Sequence, residues 1–399
     1  MNIHVFSKTF MSMGVILLII ISTAVETDIF LPSFPALKEY FATTESKIQL
    51  LISVNFIGLC IASFFYGPLA DAYGRRPVLL IGMLLFTLSS IACTLANSLE
   101  VMLFWRFIQG LGASVTFIVP KTMIHDKYDR EEAVKILGIY GSIITFVLAF
   151  APIIGNYLYL TYSWRANFIF IAILATFTLL SSIIFLRESL HKEKRILMHA
   201  PTIMRNYKKL LTNPTAMAYL YLCCAIVGAY VTYITNLSLI FINHLGVSKI
   251  NYGYYQGVIL LVFATMSLFS IHIINRLGMH FTRILGMSIT VIGAILFLVI
   301  ALWFPNSPLF ITTSMTLFTG GLALNLGIFS GDYVNVYPEI KGVAAALGRS
   351  IGLIITLIFL GLSAYFFDGT MLPIAWITFF AGISSWAVLY WLHVKRNFS

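Results

Sequence analysis

The sequence predicts an all-α membrane protein whose twelve transmembrane helices form two pseudo-symmetric six-helix bundles. Three observations favour this fold class. Hydrophobic residues make up 59% of the 399-residue chain and charged residues only 10%, which is more apolar surface than one water-soluble core can bury. Apolar runs long enough to cross a bilayer core, about 20 residues each, follow one another with short polar breaks. The longest polar stretch, residues 187–214, divides these runs into two equal sets.

The predicted spans follow in chain order. In the first half they lie near residues 9–35, 46–70, 77–97, 99–121, 134–158 and 166–186. In the second half they lie near residues 215–243, 251–274, 283–303, 308–331, 342–366 and 371–393. We therefore expect an amino-terminal six-helix bundle over residues 1–186, a cytoplasmic linker over residues 187–214 and a carboxy-terminal six-helix bundle over residues 215–399.

A weak repeat relates the two halves. The segment Asp71-Ala-Tyr-Gly74 returns as Asn275-Arg-Leu-Gly278, and Gly82-Met83 returns as Gly286-Met287, both at an offset of 204 residues. Two related halves around a site near the middle of the membrane are typical of secondary transporters.

The basic residues outside the spans predict the orientation of the chain. The predicted outer loops contain only Lys38, Lys47, Arg165 and Lys249, whereas residues 187–214 alone carry seven cations. Because cytoplasmic loops are enriched in Lys and Arg, we expect a multi-pass protein of the bacterial inner membrane with both termini in the cytoplasm. The net charge of +10 is then an orientation signal. Basic residues interleaved with aromatic ones, which mark nucleic-acid binding, are absent.

The motifs of several enzyme classes are missing from the sequence. There is no GxxxxGK[ST] phosphate-binding loop and no HExxH, so neither ATP hydrolysis through such a loop nor a membrane hydrolase of the HExxH type is expected. The four cysteines, Cys60, Cys93, Cys223 and Cys224, fall inside apolar spans without a CxxC pair, which favours packing over metal or redox chemistry. We expect no enzyme activity, no cofactor and no metal, and predict passive or ion-coupled transport.

Three ionisable residues at membrane depth are the strongest functional signal. Asp28 lies about seven residues, or ~10 Å, before the outer end of the first span near Pro35, and Arg106 lies about as far into the fourth span from Leu99. Such groups are costly in a membrane unless they are paired or face a cavity. We predict that Asp28, or Asp28 together with Glu26, takes up the proton and that Arg106 tunes it. The alternative is a static ion pair that holds the two spans together.

A second cluster lies between the second and third predicted spans. It consists of Gly67, Asp71, Gly74, Arg75 and Arg76. Glycine permits a tight turn, and a carboxylate beside two guanidinium groups can form a latch that breaks and re-forms. The alternative is a loop that anchors two spans by its positive charge.

These segments resemble motifs of the major facilitator superfamily. Residues 67–80 resemble its GxLaDxxGRrxxl loop, and residues 106–112 resemble its RxxxG motif of the fourth span. Residues 27–35 resemble the TDxYLPxxP run of the Bcr/CflA group, which are drug exporters of the bicyclomycin and chloramphenicol resistance type. Pro152 and Gly155 match the antiporter motif of the fifth span. The resemblance implies a cytoplasmic latch, a link of Arg106 to proton coupling, and close packing of the fifth span.

The sequence departs from the pattern of this group at a few positions. Asn156 stands where the antiporter motif usually has a second glycine, and Phe30 replaces the usual tyrosine. Glu26 and Arg349 are charges that the group's pattern does not contain. Arg349 lies ~12 Å into the eleventh span, where it either extends to the cytoplasm or binds an acidic group of the substrate.

Polar and aromatic residues within the spans are candidates for the substrate site. Tyr230, Tyr233 and Asn236 recur at a spacing of three residues, which places them on one face of a helix. The remaining candidates are Asn55, Gln109, Tyr140, Tyr255, Asn325 and Arg349. For each of them, helix packing is the alternative.

The resemblance implies a multidrug efflux protein associated with antibiotic resistance, a drug:proton antiporter that works by alternating access. We expect a monomer whose partners are a small-molecule substrate, protons and the lipid bilayer, with no nucleic acid. An exporter or importer of a specific metabolite or siderophore on the same fold is the first alternative, and a polytopic membrane enzyme or a non-transporting sensor is a weaker one.

Overall fold

The computed structural model describes residues 3–128, 130–191, 193, 195, 200–337 and 340–397. Within these residues the regular structure is helical. The helices of the first half are α1 (Ile3–Asp28), α2 (Phe34–Tyr40), α3 (Glu45–Tyr73), α4 (Arg75–Thr94), α5 (Leu99–Lys127), α6 (Arg130–Thr161) and α7 (Trp164–Phe185). Those of the second half are α8 (Ala200–Leu211), α9 (Pro214–Ser238), α10 (Lys249–Trp303), α11 (Pro308–Asn335), α12 (Lys341–Tyr365) and α13 (Leu372–Asn397).

Ten of the described helical stretches are long and apolar enough to cross a membrane. One of them, α10, contains two predicted spans. Gly278 lies between these two spans and adopts non-helical backbone angles (φ 81°, ψ 158°). Helix α6 coincides with the remaining predicted span. The helices therefore agree with the predicted order of twelve spans, and the predicted all-α membrane fold class is confirmed.

Side-chain caps explain where several spans begin. The side chains of Ser98, Ser248 and Ser307 accept hydrogen bonds from the first turns of α5, α10 and α11. Asn213 accepts from two backbone amides at the start of α9, and Pro214 follows it at the first helical position. These caps satisfy amide groups that a helix leaves without partners.

The chain forms two compact units. The first comprises residues 1–42 and 50–199, and the second comprises residues 43–49 and 200–399. Their boundary in the chain falls inside the predicted linker 187–214, of which residues 192, 194 and 196–199 lie outside the described part. The first turns of α3 belong to the second unit, where Glu45 Oε2 and His244 Nε2 are 2.9 Å apart and Gln49 Nε2 donates to Asn236 Oδ1 at 2.7 Å.

Glycine residues bring the helices of the first unit into backbone contact. A Cβ atom on Gly112 of α5 would overlap the backbone of Gly82 and Phe86 in α4, and one on Gly155 of α6 would overlap the carbonyl oxygen of Ile29, just after α1. Close helix approach of this kind depends on small residues at the contact. It fixes the positions of α1, α4, α5 and α6, which carry most of the candidate site.

The second unit repeats one of these contacts. A Cβ atom on Gly321 of α11 would overlap the backbone of Gly286 and Thr290 in α10. Gly286 and Thr290 follow Gly82 and Phe86 by the offset of 204 residues that relates the two sequence halves. Gly74 and Gly278, separated by the same offset, both adopt positive φ angles, 107° and 81°. The weak sequence repeat thus has counterparts in the structure.

Candidate functional site

Glu26 and Arg106 form an ion pair in the interior of the first unit. Glu26 lies near the end of α1 and Arg106 in the first third of α5, and both side chains are buried. Arg106 Nη1 donates to Glu26 Oε1. The other carboxylate oxygen, Oε2, is shielded from solvent and has no hydrogen-bond partner within the described part of the chain. The charge of the guanidinium is therefore held by one oxygen of this carboxylate.

Neighbouring side chains complete the hydrogen bonds of Arg106. Its Nη1 also donates to Gln109 Oε1 at 2.5 Å, and its Nε donates to the backbone carbonyl of Leu51 at 3.2 Å. Gln109 Nε2 in turn donates to Ser90 Oγ at 2.8 Å. The hydrogen bonds around this buried charge thus connect α5 to α1, α3 and α4.

Asn55 and Phe30 enclose the ion pair from two other sides. Asn55 Nδ2 donates to Glu26 Oε1 at 3.3 Å and to the backbone carbonyl of Arg106 at 3.2 Å. The centroid of the Phe30 ring lies 4.4 Å from Arg106 Cζ, a cation–π distance. Two of the substrate-site candidates, Asn55 and Gln109, therefore contact the charged residues.

Asp28 lies two residues beyond Glu26 and differs from it in its surroundings. Its side chain retains 8% of its solvent exposure, whereas Glu26 retains none. Within the described residues Asp28 takes part in no ion pair. Successive helical residues are turned by about 100°, so Glu26 and Asp28 point roughly 200° apart. Only one of the two carboxylates can therefore face α5. The depth of the residues in their spans favours Asp28 as the partner of Arg106, but in the structure Glu26 is the partner.

The predicted latch residues lie at the junction of α3 and α4. Arg75 Nη1 donates to Asp71 Oδ1 at 2.5 Å, and Arg75 Nε donates to Asp126 Oδ2 at 3.0 Å. The side chain of Arg75 is 9% exposed and that of Asp71 is 48% exposed. Arg75 is thus held at a buried position by two carboxylates, of which Asp126, at the end of α5, was not foreseen as a partner.

Glu188, just after α7, caps the start of α4. Its two carboxylate oxygens accept from the backbone amides of Arg75 at 2.9 Å and Arg76 at 3.3 Å. Gly74 precedes them, and a Cβ atom there would lie 2.5 Å from Glu188 Oε2. The side chain of Arg76 donates to the backbone carbonyl of Ile183 at 2.8 Å. Sequence reasoning missed this cap, because Glu188 is 113 residues away from Arg75.

The two glycines of the loop motif differ in their environment. Gly74 has the positive φ of a left-handed conformation, whereas Gly67 lies inside α3 and has no atom within 4 Å of where a Cβ would stand. Pro152 lies inside α6, three residues before Gly155. Since proline lacks an amide hydrogen, it removes one hydrogen bond of that helix next to the close contact with Ile29.

The other substrate-site candidates occupy separate places. In the first unit, Tyr140 Oη donates to the backbone carbonyl of Met13 at 2.6 Å. In the second unit, Tyr233 is buried edge-on against Phe297, and Asn236 donates to Ser363 Oγ at 3.0 Å. These contacts hold the residues in the packed interior of their units.

Three further candidates of the second unit lie at helix contacts. Tyr230 stacks on Phe263 with ring centroids 6.3 Å apart, and Tyr255 contacts Phe241 edge-on at 5.5 Å. Asn325 lies against Gly286 and donates to the backbone carbonyl of Arg283 at 3.2 Å.

Arg349 is exposed in α12, although it lies eight residues from the start of that span at Lys341. An exposed guanidinium within this span offers several hydrogen-bond donors to an anion.

Several proteins of similar sequence are named as drug-resistance proteins. Over 60% of this chain, and 60% of its own length, a bicyclomycin resistance protein homolog of Haemophilus influenzae is 23% identical. A chloramphenicol resistance protein of Pseudomonas aeruginosa is 26% identical over 82% of this chain and 77% of its own. The multidrug resistance protein MdtL of Escherichia coli O157:H7 is 24% identical over 91% and 86%. These names agree with the resemblance to the Bcr/CflA group.

The fold has counterparts among solved structures. The xylose transporter XylE from E. coli, in a partially occluded inward open conformation, superposes with a TM-score of 0.73 at 15% identity, covering 96% of this chain and 97% of the other. The Major Facilitator Superfamily model matches residues 16–364. The ordered motifs, the twelve spans and this match agree, and the chain therefore belongs to the Major Facilitator Superfamily.

Proposed function

We propose that the protein exports small organic molecules across the bacterial inner membrane in exchange for protons, by alternating access. The observation that carries this proposal is the buried pair of Glu26 and Arg106 with Asp28 beside it in the same span. Ionisable residues at membrane depth are costly and mark ion or proton pathways. The names of the relatives support a drug as cargo, and the proposal includes a monomer with both termini in the cytoplasm.

Asp28 is the proton carrier in this proposal. Glu26 already neutralises Arg106, whereas Asp28 has no cationic partner in the described part of the chain and keeps a small exposed area. A carboxylate without a counter-charge is stabilised at membrane depth by taking up a proton. Asp28 would take up a proton from the outside and release it to the inside. This proton transfer would drive the conformational cycle of the transporter. The neighbouring pair of Glu26 and Arg106 would tune the uptake and release of this proton.

Proton release from liposomes tests this assignment. Purified protein is reconstituted with a trapped pH dye, a proton gradient is imposed, and cationic, neutral and acidic compounds are added in turn. We expect at least one compound to dissipate the gradient through the wild type and not through Asp28→Asn. Glu39→Gln, which removes an exposed carboxylate of α2, is the matched control and should behave as the wild type does.

Two outcomes would contradict the proposal. If Asp28→Asn exchanged compounds for protons at the wild-type rate at every pH, Asp28 would not carry the proton. If the folded wild type responded to none of the compounds, a specific metabolite or siderophore, added next as substrate, would be favoured as cargo over a drug.

A further inference from the structure

Two adjoining cavities lie on the surface of the second unit, between α13 and the part of α10 that follows Gly278. The first has a volume of about 310 Å³ and is lined mainly by basic and aromatic side chains: Tyr219, His280, Arg283, Trp386, Tyr390 and His393. The second has a volume of about 530 Å³ and an almost wholly apolar lining: Val291, Ile383, Trp386, Ala387 and Tyr390. The two cavities share Trp386 and Tyr390 and so form one continuous groove.

The groove changes from polar to apolar along the helices. Arg283 in α10 and His393 in α13 line its polar end, whereas Val291 and Ile383 line its apolar end. Because α10 and α13 run in opposite directions here, both helices place the apolar part about 12 Å further into the span. A ligand that fills both parts has a polar head and a long apolar tail.

The polar end favours an anion. None of the described residues that line it is Asp or Glu, and the rings of His280 and His393 stack with centroids 5.2 Å apart. Arg283 is paired with Asp332 at 2.6 Å, but its Nε is buried without a hydrogen-bond partner among the described residues. Tyr219 adds a hydroxyl group. Hydrogen bonds from such donors to a phosphate are charge-assisted and short.

The internal repeat points to the same ligand. In the first unit the helix that follows Gly74 is capped by the carboxylate of Glu188, which accepts from the amides of Arg75 and Arg76. His280 is the counterpart of Arg76 at the offset of 204 residues. Among the described residues, the lining of the cavity beside it contains no carboxylate, and the helix begins again after Gly278. An external anion would occupy the place that Glu188 holds in the first unit.

We infer that this groove binds one acidic phospholipid, with its phosphate among His280, Arg283 and His393 and one acyl chain along Trp386 and Ala387. Acidic lipids are recognised at basic pockets between helix ends, and Trp and Tyr side chains suit the membrane interface because one edge is apolar and the other is polar. The site is separate from the proton-carrying residues of α1, and the inference does not depend on the proposed transport.

Native mass spectrometry of the detergent-purified protein, titrated with phosphatidylglycerol, tests the site. The wild type should retain one lipid at concentrations at which the double variant His280→Gln, His393→Gln retains about tenfold less, as expected for the loss of a charge-assisted hydrogen bond. Ala387→Phe, which fills the apolar part without removing a packing residue, should lower retention as well. Trp376→Ala is the control: Trp376 is 40% exposed on the same helix, and Trp386 is 37% exposed.

Three results would overturn the inference. The first is equal retention by the wild type and the double variant, with thermal unfolding in detergent showing both to be folded. The second is displacement of the lipid by millimolar inorganic phosphate together with unchanged retention by Ala387→Phe, which would make the polar end a free-phosphate site. The third is a loss by Trp376→Ala as large as that by Ala387→Phe, which would indicate general lipid adhesion.

Discussion

At the scale of single residues, the partner of a buried charge decides whether its position is tolerated. Arg106 contacts Glu26, Gln109 and the backbone of Leu51, so its charge and several of its donors are satisfied inside the first unit. Removing one member of a buried pair leaves an uncompensated charge, whereas replacing both by apolar residues of similar size is often neutral. Single and double variants of this pair can therefore separate its contribution to the free energy of unfolding from its contribution to transport.

Glu26→Leu should destabilise the protein by roughly 3–5 kcal/mol, since Arg106 loses its counter-charge. The double variant Glu26→Leu, Arg106→Met should recover most of this loss and still fail to exchange drug for protons. Thermal unfolding in detergent and the liposome assay measure the two effects. If the double variant transported at the wild-type rate, the pair would be a static link between α1 and α5.

Arg349 offers a second test at this scale. Because its side chain is exposed within α12, Arg349→Gln should weaken the transport of acidic compounds by about tenfold, the loss expected for one charge-assisted contact. Cationic compounds should be unaffected, and Arg349→Lys should restore part of the effect. Equal losses for acidic and cationic compounds would show that Arg349 acts on the fold and not on substrate charge.

At the scale of elements, the start of α4 combines a glycine turn with a distant cap. Gly74 adopts φ 107°, which an L-residue with a side chain reaches only with strain. Glu188 then supplies the negative charge that the first turn of a helix favours. The loop motif thus depends on one residue for its backbone shape and on another, across the chain, for its charge.

Two alanine substitutions in this motif should have opposite effects. Gly74→Ala should cost roughly 1–3 kcal/mol because of its backbone angle, and its Cβ would crowd Glu188 Oε2. Gly67→Ala, in the interior of α3 with open space around it, should be neutral or stabilise by up to about 1 kcal/mol, the helix preference of alanine over glycine. Equal shifts in unfolding temperature for the two variants would refute this difference.

At the scale of the whole molecule, the two units share helix contacts and turns but differ in the charged residues within their helices. Gly82 and Gly286 make equivalent contacts in the two units, and Gly74 and Gly278 make equivalent turns. The buried ion pair of Glu26 and Arg106 lies in the first unit, whereas the ion pairs of the second unit, within the described residues, join Arg283 to Asp332 and His244 to Glu45. The helix contacts and turns of the two units are thus similar, whereas the residues proposed for proton coupling lie in the first unit.

The orientation of the chain is a prediction at this scale. A fluorescent reporter that matures only in the cytoplasm should be active when it is fused to the carboxy terminus, and alkaline phosphatase, which needs the periplasm, should be inactive there. Fusions after Asn306, in a predicted outer loop, should show the reverse. The opposite pattern would contradict the orientation inferred from Lys and Arg in the loops.

The sequence by itself determined the fold class, the order of the spans and the family, because a bilayer imposes a length and an apolar composition on each helix that can be read along the chain. It also identified Glu26, Asp28 and Arg106 as ionisable residues within the spans, with Asp28 and Arg106 at one depth. Only the tertiary structure decided that Arg106 pairs with Glu26, that Glu188 caps α4 and that Asn325 packs against Gly286. Such contacts depend on the rotation of each helix and on residues far apart in the chain, which local sequence patterns do not specify.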